Sequence, residues 1–141
     1  WTNPITGFRV KQDYIQHAYN VVRFNYKEKK INLTIPFYEI ERHSRKQEQG
    51  MPPNFIHSLD ATHMALIKNA CNFDVVSIHD CFGAPLCHME ELFQKTRTTF
   101  VEVYKDEVIE KLFWQLGFDI NNFERGNYNV QDITRSEYAF I

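Results

Sequence analysis

The 141-residue chain sets 16 Lys and Arg against 18 Asp and Glu, a formal net charge of −2, so its overall balance does not advertise a nucleic-acid binder and any such role must rest on local charge. A hydrophobic fraction of 43%, with 12 Phe and 7 Tyr, is enough for a packed core and excludes disorder over the whole length. Cys71, Cys81 and Cys87 are odd in number and not paired in spacing, which excludes a disulfide framework and suits a reducing compartment. No apolar run approaches the roughly 20 residues needed to cross a bilayer, no signal-peptide pattern opens the chain, and no membrane partner is expected. The length suits one domain or a piece of a larger one, and Trp1 in place of Met points to a processed or excised chain.

Residues 1–14 read as a turn leading into an extended segment, and residues 15–30 show no clear period before the charged run Lys27-Glu28-Lys29-Lys30. Ile31-Asn32-Leu33-Thr34-Ile35 alternates apolar and polar side chains, the pattern of a half-buried strand. That strand should run on to Ile40, with Pro36 placing it at an edge or a bulge. Residues 42–50 lack an apolar face and read as a loop. The basic side chains of Arg42, Arg45 and Lys46 there are a solvated surface unless nucleic acid lies nearby. Met51-Pro52-Pro53 should punctuate the chain, with Asn54 as the N-cap of a following helix. On that helix Phe55, Leu59, Leu66, Ile67 and Ala70 share one face, while His57, Asp60, Ala61, Met64 and Lys68 share another. His57 and His63 point to different sides, which argues against a shared metal. From position alone a lone helical histidine is more often a structural hydrogen-bonder than a ligand.

The chain is organised around Phe73-Asp74-Val75-Val76-Ser77-Ile78-His79-Asp80-Cys81-Phe82-Gly83. Val75, Val76 and Ile78 are β-branched and suit a strand packed on a core. Polarity then changes at His79 and Asp80, and Gly83 permits a tight reversal. Residues 75–86 should therefore form a hairpin with Asp80 at its tip and residues 84–86 as the return arm. A carboxylate on a stiff turn can hold a divalent metal, or it can simply make turn hydrogen bonds; the residues alone leave both open. An amphipathic helix follows, with Met89, Leu92, Phe93, Thr96, Phe100, Val103 and Tyr104 at helical spacing and Glu90 and Glu91 suited to its first turn. Val108, Ile109, Leu112, Phe113 and Leu116 continue that pattern to Gly117, a plausible C-cap. Residues 119–128 read as a loop. Asn129 with Asp132 resembles a capped short helix before the apolar end Tyr138-Ala139-Phe140-Ile141.

Taken together, Pro52-Pro53-Asn54-Phe55-Ile56-His57-Ser58-Leu59-Asp60-Ala61-Thr62-His63-Met64 and Ser77-Ile78-His79-Asp80-Cys81-Phe82-Gly83 resemble the carboxy-terminal part of the single-subunit RNA polymerases of the bacteriophage and mitochondrial type. Trp1-Thr2-Asn3-Pro4, Gly7-Phe8, Lys46-Gln47-Glu48-Gln49-Gly50, Gly126-Asn127-Tyr128-Asn129-Val130 and Ser136-Glu137-Tyr138-Ala139-Phe140 are similar to further segments of that family, in order. Family A DNA polymerases share the fold and the His-Asp pair, but there the Asp is typically followed by Glu. Cys81 resembles the RNA polymerases instead. The wording Phe55-Ile56-His57-Ser58-Leu59-Asp60 and His79-Asp80-Cys81 looks mitochondrial and Phe82-Gly83 closer to phage, a mixture that would suit a polymerase encoded by a mitochondrial linear plasmid.

The resemblance implies an α+β fold: part of the palm of a right-hand polymerase, with an antiparallel hairpin bearing the catalytic aspartate and helices packed behind it. Residues 1–141 would be a carboxy-terminal palm and fingers portion. It implies DNA-directed RNA synthesis, in which two Mg²⁺ ions activate the attacking 3′-hydroxyl and stabilise the leaving pyrophosphate. Asp80 would be one of two bridging aspartates and His79 would orient the metal site. His57, with Ser58, would contact the minor groove of the RNA–DNA hybrid, and Arg42, Arg45 and Lys46 would meet backbone phosphates. The apolar end would fold back toward the active site. The second aspartate and the nucleotide-binding helix have no match in this chain. The implied partners are a DNA template, the RNA transcript, ribonucleoside triphosphates, the amino-terminal remainder of the polymerase and mitochondrial transcription factors, in the mitochondrion. Rival readings are a catalytically silent nucleic-acid-binding remnant, a family A DNA polymerase fragment, and a small metal-binding protein using His57, Asp60, His79 and Asp80.

Overall fold

The computed structural model describes residues 1–105, 107–120 and 126–139. These divide into two compact units, one of Lys11–Pro53 and the other of Trp1–Val10 with Asn54–Ile141. The architecture is mixed α+β, as expected, with antiparallel hairpins and helices.

The first unit is a long ribbon of β1 (Ile15–Tyr26) and β2 (Lys29–Arg42), paired antiparallel. Lys27 and Glu28 between them take φ of 46° and 62°, so both loop residues are left-handed, as a type I′ hairpin turn demands. Val22 lies opposite Leu33 and Phe24 opposite Ile31, making one apolar face; Arg23 opposite Asn32 and Val21 opposite Thr34 make a polar one. β1 escaped the sequence because Val21 beside Val22, and Tyr19 beside Ala18, blur the period of two. Pro36 sits opposite Tyr19 without disrupting a sheet, since in a two-stranded ribbon both strands are edges.

The expected loop at 42–50 is instead the start of α1 (Ser44–Ala70), which begins well before Asn54 and contains Pro52 and Pro53. His43 caps it: its Nδ1 accepts the Lys46 N–H at 3.3 Å and its carbonyl accepts the Gln47 N–H at 3.0 Å. The two prolines withhold N–H groups from the carbonyls of Glu48 and Gln49. Those residues are exposed, so water can take up the freed acceptors and the helix survives.

In the second unit the buried apolar side chains come from α1 (Phe55, Leu59, Ile67), α2 (Met89–Lys105; Leu92, Val101, Val103) and α3 (Val108–Gln115; Val108, Leu112). Asn3 pins the amino-terminal turn onto α1. Its buried amide donates to the Ser58 carbonyl, the Ser58 hydroxyl and the Thr62 hydroxyl at 3.1, 3.2 and 3.1 Å, while its Oδ1 accepts the N–H groups of Ile5 and Thr6. The predicted continuation of α2 through residue 116 is broken, and α3 is a separate helix. Asn129 caps a 3₁₀ turn over Val130–Arg135 by accepting the Gln131 N–H at 3.1 Å. Arg97, buried on α2, lies over the Phe93 ring and donates to the carbonyls of Glu137 and Ala139. Tyr138 is exposed, and Phe140 and Ile141 lie outside the described residues. Among the described residues no helix is long and apolar enough to cross a membrane.

Gly117 ends α3 in the left-handed conformation, φ 81°. Its N–H donates to the Trp114 carbonyl at 3.1 Å and that of Phe118 to the Phe113 carbonyl at 2.9 Å, with the rings of Phe113 and Phe118 6.2 Å apart. This is a Schellman cap with its hydrophobic contact. Gly117→Ala should cost roughly 1–2 kcal/mol, the penalty of a Cβ in that conformation, read as a lower denaturation midpoint with an unchanged m-value.

Candidate active site

The hairpin carrying Asp80 is β3 (Val76–Ile78) and β4 (Cys81–Gly83), with Ile78 opposite Cys81 and His79-Asp80 as the two-residue loop. The tip is where the sequence put it, but the reversal is made differently. His79 takes φ 54°, while Gly83 is a strand residue opposite Val76 and is not among the residues of positive φ. The return arm is also shorter, since β4 ends at Gly83 and Leu86 enters a 3₁₀ turn. A left-handed histidine costs roughly 1–2 kcal/mol, although His adopts it more readily than most residues. The strain sits directly beside the carboxylate.

The expectation that Val76 and Ile78 pack inward is overturned, for they are 65% and 71% exposed. Strands of three residues leave one inward position each, and here it falls to Ser77 and Phe82, which lie directly opposite one another. The Ser77 hydroxyl reaches the Met64 sulfur at 3.5 Å, and the Phe82 ring meets His63 edge-on at 6.1 Å.

This seating opens a cleft of about 810 Å³ between α1, the hairpin and α2. His57, Asp60, Ala61 and Met64 line it from the helical face predicted for them; His79, Asp80 and Phe82 line it from the hairpin and Phe100 from α2. His57, Asp60, His79 and Asp80 are all exposed, so the cleft presents two carboxylates and two imidazoles to solvent. Burial, and then the charge of Asp60, push the phenol of Tyr104 above its ordinary value. Ser58 does not open into the cleft in the same way. Its hydroxyl donates to the Phe55 carbonyl at 2.7 Å and accepts from Asn3, turned toward the amino-terminal segment. Arg42, Arg45 and Lys46 belong to the other unit, exposed at the end of β2 and on the first turn of α1.

The residue that sequence reading missed is His63. It borders the cleft yet is buried, donating its Nε2–H to the Thr96 carbonyl at 2.9 Å, with the Phe100 ring edge-on at 5.4 Å. A carbonyl only accepts, so Nε2 carries the proton. Burial outweighs that hydrogen bond and pushes the imidazole below its ordinary value, favouring the neutral form. A histidine depressed in the folded state contributes stability that is present above the unfolded value near 6.5 and declines as pH falls from there toward the folded one. The signal available in the sequence was its position one turn after Leu59, on the buried side of α1.

Comparison with known proteins decides the family. A family model described as DNA-dependent RNA polymerase matches residues 1–122. The chain belongs to the single-subunit DNA-dependent RNA polymerase family. It is 30% identical to DNA-directed RNA polymerase 3B, chloroplastic, of Nicotiana tabacum, over 99% of this chain and 15% of that protein. It is equally 30% identical to DNA-directed RNA polymerase 1, mitochondrial, of Arabidopsis thaliana, over 99% of this chain and 15% of that one. The 2A polymerase of N. tabacum matches at 30% over 99% of the chain and 43% of its length. The chain therefore spans about 15% of the length of the first two of these relatives.

Within this polymerase segment, no group of three or more His, Cys, Asp or Glu among the described residues could hold a metal ion. The small metal-binding protein built on His57, Asp60, His79 and Asp80 thus finds no such cluster. Asp80 is nonetheless a hard oxygen donor, exposed on a two-residue turn and facing a cleft, which is what Mg²⁺ takes from a protein that supplies few ligands. The residues present fit one part of a Mg²⁺ site.

Proposed function

We propose that this chain is the carboxy-terminal palm portion of a DNA-directed RNA polymerase and contributes half of its active site. The observation that supports this reading is the placement of Asp80, held by a hairpin at the rim of a cleft whose opposite wall is the His57 face of α1. Asp80 would hold Mg²⁺ through its carboxylate, and the metal would supply the Lewis-acid chemistry that nucleotidyl transfer needs at the RNA 3′-hydroxyl and the leaving pyrophosphate. His79 fixes the direction of that carboxylate through its left-handed backbone. His57, exposed on the cleft wall, meets the minor groove of the hybrid near the growing end. Ser58 holds the backbone of α1 beside it through Phe55 and Asn3. Arg42, Arg45 and Lys46 contact phosphates, where each would contribute to affinity without reading sequence.

The partners are a DNA template, the transcript, ribonucleoside triphosphates, accessory mitochondrial transcription factors and the amino-terminal remainder of the polymerase. That remainder brings the second aspartate and the nucleotide-binding helix, and part of it covers Val76 and Ile78. Relatives bear both mitochondrial and chloroplastic names; we place this polymerase in the mitochondrion, with a linear plasmid as its source.

The test is primer extension on a DNA template with Mg²⁺. The complete polymerase should extend an RNA primer with ribonucleotides, and the isolated 141-residue chain should not. Extension with deoxyribonucleotides in preference would favour a family A DNA polymerase, and a complete protein that binds template but extends nothing would be a silent remnant.

A further inference from the structure

We infer that His63 is a positioning residue for catalysis: its buried imidazole seats the hairpin on the two helices and so sets where Asp80 stands at the cleft. The inference rests on the reading of Asp80 as a metal-holding carboxylate. Three contacts converge on one ring. Nε2–H donates to the Thr96 carbonyl of α2 at 2.9 Å, and the ring lies edge-on to Phe100 of α2 and to Phe82 of β4. Phe82 is two residues from Asp80, and it lies directly opposite Ser77, whose hydroxyl touches Met64, the neighbour of His63 on α1. Ser77 and Phe82 therefore form one rung of the ladder resting on two successive side chains of a helix.

The remaining surface of the hairpin offers little support. Val76, Ile78 and Cys81 are exposed, and β3 and β4 form a sheet of two strands, which is marginal without packing on one face. The Thr96 carbonyl does not depend on His63 for its satisfaction, because the Thr99 hydroxyl also donates to it at 3.2 Å. What the imidazole adds is direction. Its hydrogen bond fixes the ring plane, and the fixed plane gives Phe82 an edge to meet.

The experiment is a double-mutant cycle in the complete polymerase, reading the Mg²⁺ concentration for half-maximal extension, kcat and primer–template Kd well below each variant's melting temperature. His63→Ala and Phe82→Ala should each raise the half-saturating Mg²⁺ about fivefold and lower kcat, with the Kd unchanged within about twofold. The double variant should be no worse than either single one, because both remove the same seat. Should His63→Ala fail to fold, His63→Gln decides: it keeps an N–H for Thr96 but loses the ring, and should show the same Mg²⁺ shift. An unmoved Mg²⁺ requirement in a merely less stable protein overturns the inference, as do shifts that multiply in the double variant. Asp80→Asn in the same assay separates the two levels. If it extends normally, the reading of Asp80 has failed; if it is inactive while His63 variants keep a normal Mg²⁺ requirement, only the role of His63 has.

Discussion

Asp80→Asn in the complete polymerase is expected to lower the rate of nucleotide addition by on the order of 10³-fold or more, since loss of a single well-placed hydrogen-bond donor at an active site already costs about 10²–10³ and here the full negative charge of the carboxylate proposed to hold the metal is removed. Asn keeps the volume, and the tip is exposed on a two-residue loop. The hairpin should therefore fold as before, with Ser77 and Phe82 still seated on α1. Primer–template affinity should stay within about twofold, because phosphate contacts dominate it. The measurement is single-turnover extension beside a binding titration. A variant that extends at near the normal rate would remove Asp80 from the chemistry, and one that loses binding in proportion would make its role structural.

How much of this site the sequence disclosed depended on whether local or tertiary physics set each feature. The tip at Asp80 was legible because a change from β-branched to polar residues is a local event. The maker of the turn was not. Rules of composition favour Gly83, but the pairing of Ile78 with Cys81 leaves His79 to take the positive φ. The stripe of α2 was legible from its period, yet buried Arg97 was not, since Arg is charged and nearly always surface-bound. Only the carbonyls of Glu137 and Ala139, far along the chain, explain its burial. Pro52 and Pro53 misled for a related reason, because their cost depends on whether the freed carbonyls reach solvent. β1 needed its partner before its apolar face could be seen. That face still leaves Phe24, Leu33, Ile35 and Phe37 between 44% and 49% exposed, and a two-stranded ribbon by itself is only marginally stable.

The histidines of α1 show the same division, and they lead to the second large effect. The sequence left open whether His57 is a core residue or a contact for nucleic acid. His57 is exposed on the cleft wall, whereas His63 is the buried histidine of the helix, so the prediction follows the second reading. His57→Ala should accordingly leave stability within about 0.5 kcal/mol, as surface substitutions do. In the complete polymerase it should instead raise the rate at which unfinished transcripts are released by about tenfold, the worth of one hydrogen bond near 1.4 kcal/mol. Short products would accumulate at all temperatures, because no folding equilibrium is involved. The effect should be largest with RNA at the primer end, where a 2′-hydroxyl is available to the imidazole, and smaller with a DNA primer that lacks it. Melting temperature measured beside processivity on the two primers checks this. A loss of several degrees in melting temperature with unchanged processivity in the cold would assign His57 to the fold, and equal losses on both primers would remove the 2′-hydroxyl from its role.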